Sequence, residues 1–165
     1  MGGQPASVLF ACTLNSIRSP MAEGLLKHFH GRRVYVDSCG VRRLDVNPFA
    51  VAAMAELGID VSRHRSKTFD LLEDTSYDIV ITLSPEAHHR ALELTRTMAC
   101  DVEYWPTFDP TVMEGSREAV LSSAVFLVFA LLGLAAHTSG RWMSRHAIVA
   151  LILAHQLIGE GVLIW

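Results

Sequence analysis

Cysteine is scarce in this chain: three in 165 residues, at positions 12, 39 and 100. Such a count, with no paired spacing, excludes a disulfide framework and a paired-ligand zinc site, and a reducing compartment is the simplest home. Positive charge is also short, with 14 Lys and Arg against 17 Asp and Glu, a formal charge of -3 and a pI near 6.2. No general basic field is available to hold nucleic acid, so DNA and RNA are not expected as partners. Residues 1–5 lack the charged and apolar regions of a signal peptide, which makes the cytoplasm the expected location. There is no internal repeat and no low-complexity linker. His88 and His89 are neighbours on a predicted helix and point in different directions, so they cannot form a two-ligand metal face, and solvated histidines are the expectation there.

What the chain has in excess is apolar residues, and they are unevenly placed. Half the residues are hydrophobic and the mean hydropathy is +0.29, yet residues 1–119 read as an ordinary soluble α/β core. The excess lies in residues 120–165, where "VLSSAVFLVFALLGLAA" and "AIVALILAHQLIGEGVLIW" are nearly uncharged. The first run is long enough to serve as a terminal packing helix, or to enter a membrane. The second carries His155, Gln156 and Glu160 and makes a poor span. The two-part division is therefore a core over 1–119 and an atypical apolar tail over 120–165. Membrane contact through the tail and an altered reading frame both stay open.

Within the core, strand-like runs alternate with helical ones. "SVLFA" (7–11), "VYVDS" (34–38), "YDIVITL" (77–83) and "DVEYW" (101–105) are β-rich and of strand length. Three of the intervening helices are predicted to open on a capping side chain followed by proline: Ser19-Pro20, Asn47-Pro48 and Ser84-Pro85. In the first, Met21, Ala22, Leu25, Leu26 and Phe29 form one apolar stripe. The second spans 48–57 and stops at Gly58. This alternation predicts a parallel sheet flanked by helices.

Ligands of such sheets bind where the carboxyl ends of strands feed helix N-termini. Cys12 falls at that edge, in "LFACTLNSIRSP". A loop leading into a helix can aim successive backbone N–H groups at one point, and the helix dipole adds positive potential, which suits a tetrahedral oxyanion. The same field favours a thiolate at Cys12, the nucleophilic form. Arg18 supplies a planar fork for two phosphoryl oxygens. Asn15 tolerates left-handed backbone, as a tight anion loop requires. Ser19 can cap the helix and hydrogen-bond the sulfur. A free cysteine is often only a small buried hydrophobe and a Cys-x5-Arg spacing alone is common. The preceding strand and the Ser-Pro helix start turn the balance towards function.

"VLFACTLNSIRSPMAE" closely resembles the opening of the low-molecular-weight protein tyrosine phosphatases and the related arsenate reductases. The resemblance continues through "DSCG" at 37–40, "GIDVSRHRSK" at 58–67, "YDIVITLSPEAH" and "WPTFDP" at 105–110, covering residues 7 to about 118. It implies a flavodoxin-like three-layer α/β sandwich with a four-stranded parallel sheet. It also implies a mechanism: Cys12 attacks phosphorus, and Arg18 with the loop residues Thr13, Leu14, Asn15, Ser16, Ile17 and Ser19 holds the equatorial oxygens. Asp109 protonates the leaving phenolate, although Asp-Pro by itself would read as a turn. No metal or other cofactor is required, because Arg18 and the loop amides neutralise the phosphate.

The departures from that pattern are also informative. Leu14 stands where many family phosphatases have glycine, and Ile17 replaces the second loop cysteine that many carry, so no protective disulfide is expected within the loop. A thioredoxin-coupled arsenate reductase would want two resolving cysteines downstream, whereas only Cys39 and Cys100 exist. Cys39, following the second strand, stays a candidate redox partner. His64 with Arg63, Arg65 and Lys67 is expected to be a solvated basic loop. The expected function is hydrolysis of aryl phosphate monoesters, on a phosphorylated protein or a small substrate, through a cysteinyl-phosphate. The alternatives are arsenate reduction through the same loop and a catalytically silent phosphate sensor.

Overall fold

The computed structural model describes residues 5–73, 76–107 and 109. The expectations for the 120–165 tail, as packing helix or membrane segment, lie outside the described residues, as do Pro110 of the Asp-Pro pair and the boundary at 119. Along the chain come β1 (Ser7–Cys12), α1 (Arg18–His30), β2 (Tyr35–Gly40) and α2 (Pro48–Glu56). A 3-10 turn (Phe69–Leu71), β3 (Ile79–Thr82), α3 (Pro85–Leu94) and β4 (Asp101–Tyr104) follow. The strands form one four-stranded sheet in the order β2-β1-β3-β4, and every pairing is parallel. This is the expected three-layer α/β sandwich.

Period-two alternation sorts the side chains into two cores. From β1, Val8, Phe10 and Cys12 face the layer of α1 and α2, where they meet Met21, Leu25, Ala53 and Met54. Leu9 and Ala11 face the other way, against Tyr77, Val80 and the α3 residues Ala87 and Ala91. With helices on both sides, β1 must be apolar throughout, which is why it reads as a continuous hydrophobic run. β2 and β4 are the edge strands, and the charged Asp101 and Glu103 of β4 suit an edge that no further described strand covers.

Two of the three expected caps form. Asn47 Oδ1 accepts from Phe49 N at 2.8 Å and Ser84 Oγ accepts from Ala87 N at 3.3 Å. The third does not: α1 starts one residue earlier than Ser19, with Ile17 at its cap position and no side-chain cap bond. Ser19 is held instead by the sulfur of Cys12 and the amide of Asn15. The α1 stripe also needs one correction. Met21, Ala22, Leu25 and Leu26 are buried, but Phe29 is 53% exposed, in a last turn of α1 where Lys27 and His28 are exposed with it. Among the described residues no helix is long and apolar enough to cross a membrane.

Candidate active site

β1 ends at Cys12 and α1 begins at Arg18, so the five residues 13–17 must turn the chain from strand into helix within the reach of the helix dipole. Asn15 takes the left-handed conformation the turn demands, with φ of 50°, and is the only described non-glycine residue with positive φ. That conformation points its backbone N–H at Cys12 Sγ, 3.3 Å away. Ser19 Oγ, on the second residue of α1, lies 3.0 Å from the same sulfur. Ser19 has one proton and two acceptors, since Cys39 O is 3.2 Å distant; the bond to sulfur is available whenever Cys12 carries the charge.

The loop is braced from outside by the β2–α2 connection, which runs beside it. Val41 N, Arg42 N, Leu44 N and Asn47 N donate to the carbonyls of Cys12, Thr13, Leu14 and Ser16 at 2.9–3.1 Å. Ser16 Oγ adds a bond to Asp45 O at 2.7 Å. So close an approach requires a glycine at the end of β2: a Cβ on Gly40 would stand 2.4 Å from Arg42 O and 2.8 Å from Asn15 N.

Beneath the loop lies a buried polar network that the sequence reading did not assemble. Asn15 Nδ2 donates to Ser19 Oγ and Ser38 Oγ, both at 2.9 Å. Its Oδ1 accepts from Lys67 N at 2.9 Å and bonds His64 Nε2 at 3.1 Å. Ser38 Oγ passes its proton direction on to Glu23 Oε2 at 2.5 Å, while Lys27 Nζ donates to Glu23 Oε1 at 2.5 Å. His64 Nδ1 is 3.4 Å from Glu23 Oε2. Burial alone would raise the Glu23 pKa, but the bonds from His64, Lys27 and Ser38 outweigh it and bring it down to about 2. A carboxylate on the buried face of an apolar helix, one turn from Ser19, was the available signal for this network. His64 is therefore no solvated loop residue: its side chain is 9% exposed and joins the 13–17 loop to α1.

A second, partly buried pair backs the same segment. Lys67 Nζ bonds both carboxylate oxygens of Asp37, at 2.7 and 2.8 Å, and Tyr77 OH donates to Oδ2 at 3.1 Å. Burial works against the Lys67 charge, but the bond to Asp37 and its charge prevail and the pKa rises. Ser66 Oγ donates to Asn15 O at 2.7 Å. The segment 64–67 thus holds Asn15 by main chain and side chain together.

Arg18 gathers the remaining elements. Its side chain is 6% exposed; Nη1 donates to Leu83 O and Thr107 O at 3.1 and 3.3 Å. Nη2 donates to Thr13 Oγ1 at 3.4 Å and to Asp109 Oδ2 at 2.8 Å. Residues after β4 reach this position because Trp105 N and Thr107 N follow β3, bonding Thr82 O and Leu83 O.

A small cavity is lined by Cys12, Leu14, Ser16, Ile17, Arg18 and Asp109. Six of the expected site residues meet there. Thr13 stands beside it, its hydroxyl shared between Arg18 and Glu86. Asn15 and Ser19 turn their side chains under the loop and serve it from behind.

The other two thiols stand apart. Cys39 lies inside β2, one residue short of its end, in register with Ala11 and packed in the opposite core from Cys12. Burial raises its pKa well above the usual value, and the nearby Cys12 and Asp37 add to the effect. Cys100 precedes β4, at the other end of the sheet; burial raises its pKa too, with Asp101 contributing. His88, expected to be solvated, is half-buried: Nδ1 is 3.0 Å from Thr82 Oγ1 and the ring stacks on Tyr104. Among the described residues no group of three or more His, Cys, Asp or Glu could hold a metal ion.

The comparisons with known proteins agree with this geometry. The model of the low molecular weight phosphotyrosine protein phosphatase family matches residues 7–119. Arsenate reductase 1 of Staphylococcus epidermidis is 39% identical over 117 residues, covering 69% of this chain and 85% of that protein. A solved arsenate reductase in the phosphate-binding state superposes with a TM-score of 0.64 at 30% identity, over 80% of this chain and 98% of that one. A solved arginine phosphatase with a phosphorylated active-site serine gives 0.66 at 26% identity, over 86% and 99%. With a strand-ending cysteine, an arginine at the helix start and a match over most of its length, this chain belongs to the low-molecular-weight phosphotyrosine protein phosphatase family.

Proposed function

We propose that this chain hydrolyses aryl phosphate monoesters, phosphotyrosine or a similar small ester, through a cysteinyl-phosphate. The observation that carries the reading is that, among the described residues, no second thiol lines the Cys12 cavity. Cys12 shares that cavity with a guanidinium and a carboxylate, while both other cysteines of the chain sit elsewhere. Phosphoryl transfer needs one sulfur, an oxyanion clamp and a proton donor. Reduction of arsenate within the chain needs a second thiol able to reach the first.

In the first step the Cys12 thiolate attacks phosphorus, forming the S–P bond as the P–O bond to the leaving group breaks. Asp109, protonated, delivers its proton to the departing oxygen. Arg18 and the loop N–H groups carry the charge of the equatorial oxygens, which supplies the electrostatic stabilisation. In the second step water attacks phosphorus, the ionised Asp109 takes its proton, and the S–P bond breaks to return the thiolate and inorganic phosphate. The Arg18–Asp109 ion pair corresponds to the ionised Asp109 of this second half.

The names of the similar proteins favour a second reading, arsenate reduction. There Cys12 would form a thiol ester with arsenate, releasing water. Two electrons would then come from thiols, at least one of them from an external low-molecular-weight or protein thiol, because Cys39 is buried in the opposite core and neither it nor Cys100 lines the Cys12 cavity. A single set of assays separates the readings. Hydrolysis of p-nitrophenyl phosphate without any added thiol, a trapped phosphate on Cys12, and loss of both in Cys12→Ser support the hydrolase. Arsenate-dependent consumption of an added thiol with no phosphate release supports the reductase. Binding of phosphate with neither activity supports a silent sensor.

A further inference from the structure

Thr13 Oγ1 lies 3.2 Å from Glu86 Oε2 and 3.4 Å from Arg18 Nη2. A hydroxyl has one proton, a guanidinium only donates, and an ionised carboxylate only accepts. The direction of the chain is therefore determined: Thr13 donates to Glu86 and offers a lone pair to Arg18. We propose that Glu86 is a positioning residue for the oxyanion clamp, acting through Thr13 to fix the plane of the Arg18 guanidinium.

The start of α3 then governs both ends of the fork. Leu83, two residues before the helix, receives Nη1 directly at 3.1 Å. Glu86, in the first turn, reaches Nη2 by way of Thr13. The turn itself is rigid, since Ser84 caps it and Pro85 begins it. Asp109 is the partner that Nη2 must give up when phosphoryl oxygens arrive. Thr13 is the one it keeps, so the guanidinium stays in plane during the exchange. A clamp already in place loses less conformational entropy when the anion binds.

Glu86 also carries a charge, and that charge works the other way, because a carboxylate near the site repels a phosphate dianion. The two effects have opposite signs, which makes the role separable from plain electrostatics. The turnover part of the test rests on the hydrolase reading, whereas the binding part does not. The experiment measures binding of inorganic phosphate by calorimetry and steady-state hydrolysis of p-nitrophenyl phosphate. It compares the full chain with its Glu86→Ala, Glu86→Gln, Thr13→Val and Glu86→Ala/Thr13→Val variants.

Loss of one such hydrogen bond corresponds to roughly threefold to tenfold in affinity. Glu86→Ala is expected to weaken phosphate by that factor and to raise KM alike, with kcat within about twofold, since the clamp holds ground and transition state together. Glu86→Gln keeps an acceptor for Thr13 and sheds the charge, so it restores the affinity or improves on the wild type. The double variant binds no worse than Thr13→Val alone. The proposal is overturned if both Glu86 variants bind as tightly as the wild type or tighter, if Glu86→Gln is as weak as Glu86→Ala, or if the losses multiply. Absence of phosphate binding in the wild type overturns it as well. A wild type that binds phosphate without hydrolysing the ester refutes only the hydrolase reading, and the binding series still decides this one.

Discussion

Arg18 Nη2 donates to Asp109 Oδ2 across 2.8 Å, with side chains 6% and 33% exposed. In the proposed hydrolase mechanism these are the group that would grip the phosphoryl oxygens and the group that would serve the leaving oxygen, paired here with each other. Substrate binding would then have to divide them. Because Asp109 is a third exposed, their attraction is softened by solvent and falls within what an incoming dianion can replace.

Asp109→Asn consequently has two opposite effects. Arg18 is released from a charged partner, so inorganic phosphate binds as tightly as before or tighter. The proton donor is lost, so hydrolysis of esters with poor leaving groups drops by roughly a hundredfold or more, the usual scale of general acid catalysis. Activated aryl phosphates that need no proton lose far less. Plotting kcat/KM against leaving-group pKa checks this: a steeper dependence in the variant is expected, and a parallel line would assign Asp109 to the turn alone.

Much of this was legible because it is local. A continuous apolar run before Cys12, a proline in the first turn of each α-helix and Asn15 at the turn are short-range features, and each dictates its own backbone. The Ser19 cap failed for a reason the local pattern could not contain: the sulfur and the Asn15 amide compete for the same hydroxyl. His64, Ser38 and Lys67 were hidden for the same kind of reason. Their partners are 15 to 52 residues away in sequence, and a polar residue on a basic stretch looks solvated until the fold brings Asn15 and Glu23 to it. Cys39 lies within β2 opposite Ala11, not after the strand, and strand alternation therefore turns its side chain into the core opposite that of Cys12.

Asn15 combines a left-handed backbone with an amide that bonds four partners. Asn15→Gly keeps the conformation and loses the bonds; Asn15→Ala loses both. Each is expected to lower kcat/KM, with alanine the worse. The stability difference between them is about 1 kcal/mol, the order of the penalty for a side chain forced into the left-handed region. Urea titration of both variants measures it. Equal stability would show that the buried bonds alone govern this position.

Gly40 and Gly58 separate close approach from backbone conformation. A Cβ at Gly40 meets main-chain atoms of Arg42 and Asn15 at 2.4 and 2.8 Å, whereas at Gly58, with φ of +74°, it meets nothing within 4 Å. Gly40→Ala must push the β2 end and the oxyanion loop apart, costing on the order of 1–3 kcal/mol and depressing phosphate binding and turnover together. Gly58→Ala costs about 1 kcal/mol through strain at the end of α2 and leaves kinetics unaltered. Thermal unfolding and KM for p-nitrophenyl phosphate, measured on both, check the contrast. Unchanged kinetics in Gly40→Ala would mean that the loop tolerates displacement.

Glu23 ties the stability of the site to pH. Its pKa is lowered from 4.5 to about 2, so the folded state binds its proton less readily than the unfolded chain. The associated stability is fully present above about pH 4.5 and is lost as pH falls towards 2. Glu23→Gln removes the carboxylate that His64, Lys27 and Ser38 share, and is expected to cost on the order of 3 kcal/mol at pH 7, the range for breaking a buried charged network. At pH 2.5 the gap between variant and wild type should close substantially, because Glu23 is by then protonated in the unfolded chain and the proton uptake on unfolding offsets most of the native advantage. Urea midpoints at the two pH values give the measurement. A destabilisation that stayed the same at both would show that Glu23 contributes by packing alone, and that the Asn15 network does not depend on its charge.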